Sequence, residues 1–131
     1  MDRPTRPHET ASAIRLRNGH FVFDAEVNGV TVPMMFDTGA SFVTLRAEDA
    51  AHLGINTATL QYSRRINTAN GTADVASTMI AAMKIGNIAR ANVAAFVAKP
   101  GTLAVNLLGQ SFLKTMAGFA QDGERLVLRG D

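Results

Sequence analysis

Turn-forming dipeptides divide this chain, among them Asn28-Gly29, Asn70-Gly71, Gly86-Asn87 and Asp122-Gly123, each close to apolar runs. Such pairs tolerate positive φ at two successive residues, the requirement of a two-residue hairpin loop. A chain punctuated this way folds as short strands joined by tight turns. His20–Val27 alternates through Phe21, Phe23, Ala25 and Val27, which is the strand period. Val30–Phe36 forms the second arm of that hairpin and delivers the chain to Asp37-Thr38-Gly39.

Further strands are expected at Phe42–Leu45, Leu60–Ala69, Ala73–Ile85, Ala91–Ala98, Val105–Leu108, Gly118–Ala120 and Leu126–Leu128. Arg46–Leu53 has helical composition, acids Glu48 and Asp49 in its first turns, and Gly54 as a stop. Ser111–Ala117 reads as a second short helix. The expected fold class is mainly β, an antiparallel sandwich or barrel with two short helices. Residues 1–13 are polar, carry Pro4 and Pro7, and read as a flexible leader. Residues 14–131 read as one lobe, with order beginning near Ile14.

Composition removes several function classes. The chain has 131 residues, 47% hydrophobic and 18% charged, which suits one globular core and excludes wholesale disorder. Its apolar runs fall short of the ~20 residues of a membrane-spanning helix. Cysteine is absent, so disulfides, thiolate metal sites and a cysteine nucleophile are excluded. His8, His20 and His52 are far apart and show no zinc-hydrolase spacing. A net charge of +2, 6% aromatics and no tryptophan give no nucleic-acid footprint. Arg64-Arg65 reads as a solvated pair. The first 13 residues hold no apolar signal segment, so the chain is either cytosolic or a piece whose targeting segment has been removed.

The stretch that carries chemistry is Asp37-Thr38-Gly39-Ala40-Ser41, set between Met34-Met35-Phe36 and Phe42-Val43. An aspartate between two apolar strands is costly unless the fold supplies partners. Thr38 offers a hydroxyl, Gly39 permits a tight turn and close approach of a ligand, and Ala40 and Ser41 keep the surroundings small. A carboxylate on such a loop is a candidate acid–base group. The tripeptide alone is equally compatible with ordinary turn chemistry. Ser41 lacks the Gly-x-Ser-x-Gly setting of a hydrolase nucleophile.

Three stretches together are more specific: Phe36-Asp37-Thr38-Gly39-Ala40-Ser41, the segment from Arg46 to Gly54, and Leu107-Leu108-Gly109-Gln110-Ser111-Phe112-Leu113. In that order, with a hairpin between, they resemble the bacterial retropepsin-like aspartic proteases, a branch often anchored to a membrane by an N-terminal helix. The resemblance runs from about His20 to the C-terminus and implies a closed β-barrel lobe. It implies Asp37 as the catalytic aspartate, Thr38 as the hydroxyl that locks two facing loops, and Gly39 as the completion of the active-site turn. Ala40, Asn67, Thr68, Ala69, Asn70, Gly71 and Leu108 would touch substrate, the hairpin around Asn67–Asp74 acting as a flap. Leu107, Leu108 and Gly109 would support the Asp37 loop. Val43, Ile66, Val75 and Leu108 are apolar candidates for pocket walls or plain core. Ile14–Leu16 and Arg125–Arg129 are the candidates for strands that join subunits.

The chemistry implied needs two carboxylates, and no second Asp-Thr/Ser-Gly occurs. An active enzyme is therefore expected to be a homodimer, with Asp37 and its twin sharing a proton at the twofold axis. The expected substrate is an extended peptide or protein segment. No metal or organic cofactor and no nucleic acid is implied. A membrane enters only through a segment absent from this chain, at the periplasmic face of an inner membrane if the resemblance extends that far. Two alternatives stand beside this reading: a catalytically silent dimer of the same fold, used for peptide binding or assembly, and an unrelated β-barrel module whose Asp-Thr-Gly is a turn.

Overall fold

The Asn28-Gly29 signal does what its chemistry predicts: both residues have positive φ, 49° and 84°, and they close a hairpin whose arms pair from Val27↔Val30 to Val22↔Met35. The computed structural model describes residues 8–68 and 71–131. Among the described residues ten strands occur in chain order: β1 (Thr10–Ile14), β2 (Val22–Val27), β3 (Val30–Phe36), β4 (Val43–Leu45), β5 (Arg64–Thr68), β6 (Gly71–Ile85), β7 (Ile88–Ala98), β8 (Asn106–Leu108), β9 (Gly118–Asp122) and β10 (Arg125–Arg129). They are interrupted by the helices α1 (Ala47–His52) and α2 (Gln110–Leu113) and by a 3-10 turn at Thr57–Thr59. Among the described residues no helix is long and apolar enough to cross a membrane.

The strands β2-β3-β8-β4-β7-β6 form a ring, closed by the pairing of β2 with β6. The result is the closed, mainly β barrel expected of a retropepsin-like lobe. Its interior is filled by the inward positions of alternating strands, among them Phe23, Ala25, Val27, Met34, Leu45, Ile80, Ile85 and Leu108, and by Phe112 from the second helix. Most pairings are antiparallel. Two are parallel, β3 with β8 and β4 with β7, and neither follows from local turn signals because the partners are far apart in sequence. The parallel pairs place the ends of β3, β4 and β8 side by side, where the Asp37 loop emerges.

The 15-residue strand β6 serves two bodies. Its second half packs Ile80, Met83 and Ile85 into the main core. Its first half pairs with β5 in a projecting hairpin, and there Ala73 and Val75 join Phe96 and Ala98 in a smaller cluster, with Phe42, Ile66 and Leu103 at its margin. Val43, Val75 and Leu108 are completely buried, so of the four apolar wall candidates only Ile66 reaches a surface.

A second sheet, β1-β10-β9, ties the two ends of the chain together. This corrects two expectations. Ordered structure starts by Thr10, inside the segment read as leader: Ala11 and Ala13 alternate inward, 7% and 8% exposed, between the outward residues Thr10, Ser12 and Ile14. Arg125–Arg129 lies in the middle of this intrachain sheet, with β1 on one side and β9 on the other, so its main chain has no edge to offer a second subunit. Arg15 and Leu16 turn back instead, Leu16 N–H donating to the His20 carbonyl over 2.8 Å. Arg90 clamps the termini: its guanidinium pairs with Glu9 at 3.2 Å and donates to the Gly130 carbonyl at 2.9 Å.

The second helix is shorter than its composition suggests. After Leu113 the bonding tightens, Thr115 N–H reaching Phe112 and Met116 N–H reaching Leu113, and Ala117 N–H leaves to pair with Arg129. The Thr115 hydroxyl also donates to the Phe112 carbonyl at 2.6 Å, competing with helical continuation.

Candidate active site

Asp37 follows the last residue of β3. Its N–H donates to the Leu108 carbonyl at 3.1 Å, extending the β3–β8 ladder by one bond. Its Oδ1 accepts the N–H of Gly39 at 3.0 Å, and its carbonyl accepts the N–H of Ala40 at 3.2 Å. The carboxylate is thereby oriented by the turn that carries it. Thr38 and Gly39 are exposed at the loop tip.

The loop is held from below by the β8–α2 corner. Gln110 donates twice, its N–H to the Ala40 carbonyl at 2.8 Å and its Nε2 to the Thr38 carbonyl at 3.0 Å. Ser111 Oγ accepts the Val43 N–H at 2.8 Å. Gly109 is buried against Phe42 and Ala40. Below that corner, Asn106 is 2% exposed and fully engaged: Nδ2 donates to the Pro33 carbonyl and to Asp49 Oδ2, each at 2.9 Å, and Oδ1 accepts the Arg46 N–H at 2.8 Å. One asparagine thus ties β3, α1 and β8 together. Neither Asn106 nor Gln110 was singled out by sequence. A buried polar residue at the start of an apolar Asn-Leu-Leu strand is the signal that could have marked the first.

Two cavities meet at Asp37. The larger, about 580 Å³, runs between the Asp37 loop and the hairpin of β5 and β6, and is lined by Gly39 to Phe42, Arg64 to Thr68, Phe96 and Leu107. The smaller, about 230 Å³, lies on the other side against Met35, Gly101 to Val105 and Leu107. Asp37, Thr68 and Leu107 line both, so together they make one cleft with the carboxylate at its waist. Asp37 is the sole acidic side chain on these walls among the described residues. No group of three or more potential metal-ligating His, Cys, Asp or Glu side chains converges among the described residues.

The expected site residues divide as follows. Asp37, Gly39, Ala40, Asn67, Thr68 and Leu107 line the cleft; Thr38 is exposed next to Asp37 and belongs to neither cavity lining. Gly71 belongs to the hairpin and pairs with Thr68, away from the cleft walls. Ala69 and Asn70 lie outside the described residues. Leu108 is the correction: it is completely buried, because strand alternation turns it into the barrel core and presents Leu107 to the cleft. Arg64 and Arg65 also depart from expectation. Both are exposed, but they stand on the cleft wall, Arg64 over the ring of Phe96 and Arg65 paired to Asp74 at 3.1 Å.

A closed barrel with an Asp-Thr-Gly loop at the waist of a cleft, a hairpin beside it and a Leu-Leu-Gly corner beneath defines the lobe of a retropepsin-like aspartic protease. Comparison with known proteins agrees. Residues 23–115 match the model of the family described as "gag-polyprotein putative aspartyl protease". A retropepsin-like aspartic protease from Rickettsia conorii superposes with a TM-score of 0.83 at 35% identity, covering 98% of this chain and 96% of that one. The EIAV protease bound to the inhibitor HBY-793 has a TM-score of 0.61 at 18% identity over 77% of this chain and 91% of its own, a likeness of fold. Two curated relatives are an uncharacterized protein in the cobV 5′ region of a Sinorhizobium species, 41% identical over 88% of this chain, and the uncharacterized protein RP867 of Rickettsia prowazekii, 39% identical over 87%. The chain spans about half the length of these two, 49% and 48%. It belongs to the retropepsin-like aspartic protease family.

Proposed function

We propose that this chain is one half of an aspartic endopeptidase, a homodimer in which two copies of Asp37 meet across a twofold axis. The observation that supports this reading is the position of Asp37, a lone carboxylate at the waist of a cleft, oriented by the Gly39 N–H. A single carboxylate cannot both take a proton from water and donate one to the scissile carbonyl. Two at close range share one proton, which provides both roles.

In this reading one carboxylate removes a proton from a bound water, and the hydroxide adds to the peptide carbonyl carbon. The other carboxyl group donates to the carbonyl oxygen as it becomes negative. Transfer of a proton to the peptide nitrogen then breaks the C–N bond. The exposed Thr38 hydroxyl faces the partner loop, and Gly39 leaves room for substrate main chain. The hairpin of β5 and β6 acts as the flap, with Asn67 and Thr68 toward the substrate.

The test is digestion of a diverse peptide mixture from about pH 4 to 7, the range suited to a shared-proton dyad, by the wild type and by Asp37→Asn. Cleavage by the wild type alone supports the assignment. Cleavage by both excludes Asp37 as the catalytic group. Peptide binding without cleavage by either would leave a silent dimer of the same fold.

A further inference from the structure

The two arms of the cleft differ in charge. The arm of about 230 Å³ has no charged side chain other than Asp37. The larger arm contains two cations, and they are not equivalent. Arg65 is neutralised by its cross-strand partner Asp74, Nε to Oδ1 at 3.1 Å. Arg64 makes no ion pair with an acidic residue among the described residues. Its guanidinium instead lies 5.3 Å from the centroid of the Phe96 ring.

That ring is a firm platform. Phe96 is 5% exposed, belongs to the small cluster beneath the hairpin, and packs tilted, with 4.5 Å between ring centroids, against Phe42, which continues from the Asp37 loop. A guanidinium held over an aromatic face keeps its N–H edge available, and that edge matches a carboxylate with two parallel hydrogen bonds. This cation–ring contact also reduces the rotamer freedom that Arg64 loses on pairing, which makes the site better prepared than an unsupported surface arginine.

We propose that Arg64 forms an acidic-side-chain subsite, so that the cleft selects peptides carrying glutamate or aspartate in the arm beside the hairpin and apolar residues in the opposite arm. The inference rests on the peptide-binding cleft assigned above. It names the chemistry of one subsite and the residue that sets it.

The test uses eight-residue peptides with one glutamate scanned through the positions, each with a glutamine twin. Cleavage is measured for the wild type, Arg64→Gln and Arg65→Gln, and the readout is the Glu-to-Gln ratio of kcat/KM within each protein. At one position the wild type should favour glutamate by about three- to tenfold at low salt, as a partly exposed charge pair does, with the preference shrinking as salt rises. Arg64→Gln should bring the ratio to about one, while Arg65→Gln should keep it. A ratio near one in the wild type, or one that survives Arg64→Gln, overturns the proposal. The same peptides are titrated against Asp37→Asn, whose binding does not require turnover. A glutamate preference lost with Arg64→Gln would sustain the subsite even where no cleavage is found, and absence of that preference would overturn it there too.

Discussion

Gly109 and Phe42 stand so close that a Cβ on the glycine would lie 2.4 Å from the Phe42 carbonyl oxygen and 2.8 Å from that of Ala40. Those distances are inside van der Waals contact with backbone, and the Ala40 carbonyl is held in place by the Gln110 N–H. The glycine is therefore fixed by close approach, and the geometry of the Asp37 loop depends on it.

Gly109→Ala should cost about 3 kcal/mol through overpacking and should also displace the Asp37 loop. Urea denaturation reads the first effect and peptide cleavage the second. An unchanged midpoint with full activity would show that the corner can yield, contrary to the contact distances.

Asn106→Ala removes three hydrogen bonds at a residue 2% exposed and strands the Arg46 N–H and the Pro33 carbonyl without their partner. The expected loss is about 2–3 kcal/mol, the sum of three hydrogen bonds at a buried side chain, one of them to a carboxylate. The denaturation midpoint checks it. A loss under half a kilocalorie, roughly the scale of an ordinary surface substitution, would contradict the network.

How far the sequence could be read follows the range of the signals. The Asn28-Gly29 and Gly123 turns, the alternation in β2 and the helix that begins after Arg46 are local chemistry, and each appears where that chemistry requires it. The Asp37 loop and its Leu-Leu-Gly support were legible through a family resemblance resting on three separated stretches. Less legible were features set by distant partners: the parallel β3–β8 and β4–β7 pairings, and the strand at Thr10–Ile14, which exists because β10 offers it an edge. Leu107 and Leu108 show the limit at single-residue scale. Both are apolar and adjacent, and only the strand's register tells which one faces the cleft.

That register gives a paired prediction. Leu108→Ala, at a completely buried position, should lower stability by about 3 kcal/mol while leaving peptide preference as it was. Leu107→Ala, on the cleft wall, should shift the preferred side chains at the cleavage site. Profiling cleavage sites for both variants beside their urea midpoints checks the assignment. A changed preference with Leu108→Ala and none with Leu107→Ala would reverse it.

The central claim is that one chain supplies one Asp37 and that catalysis needs two. The direct measurement mixes a fixed amount of wild type with increasing Asp37→Asn protein, allows subunits to exchange, and follows peptide cleavage. Random pairing predicts that a ninefold excess of the variant lowers the activity about tenfold, because nearly every wild-type chain then faces a partner without its carboxylate. Activity that stays constant through the titration would show that each chain cleaves alone, and the shared-dyad account would be wrong.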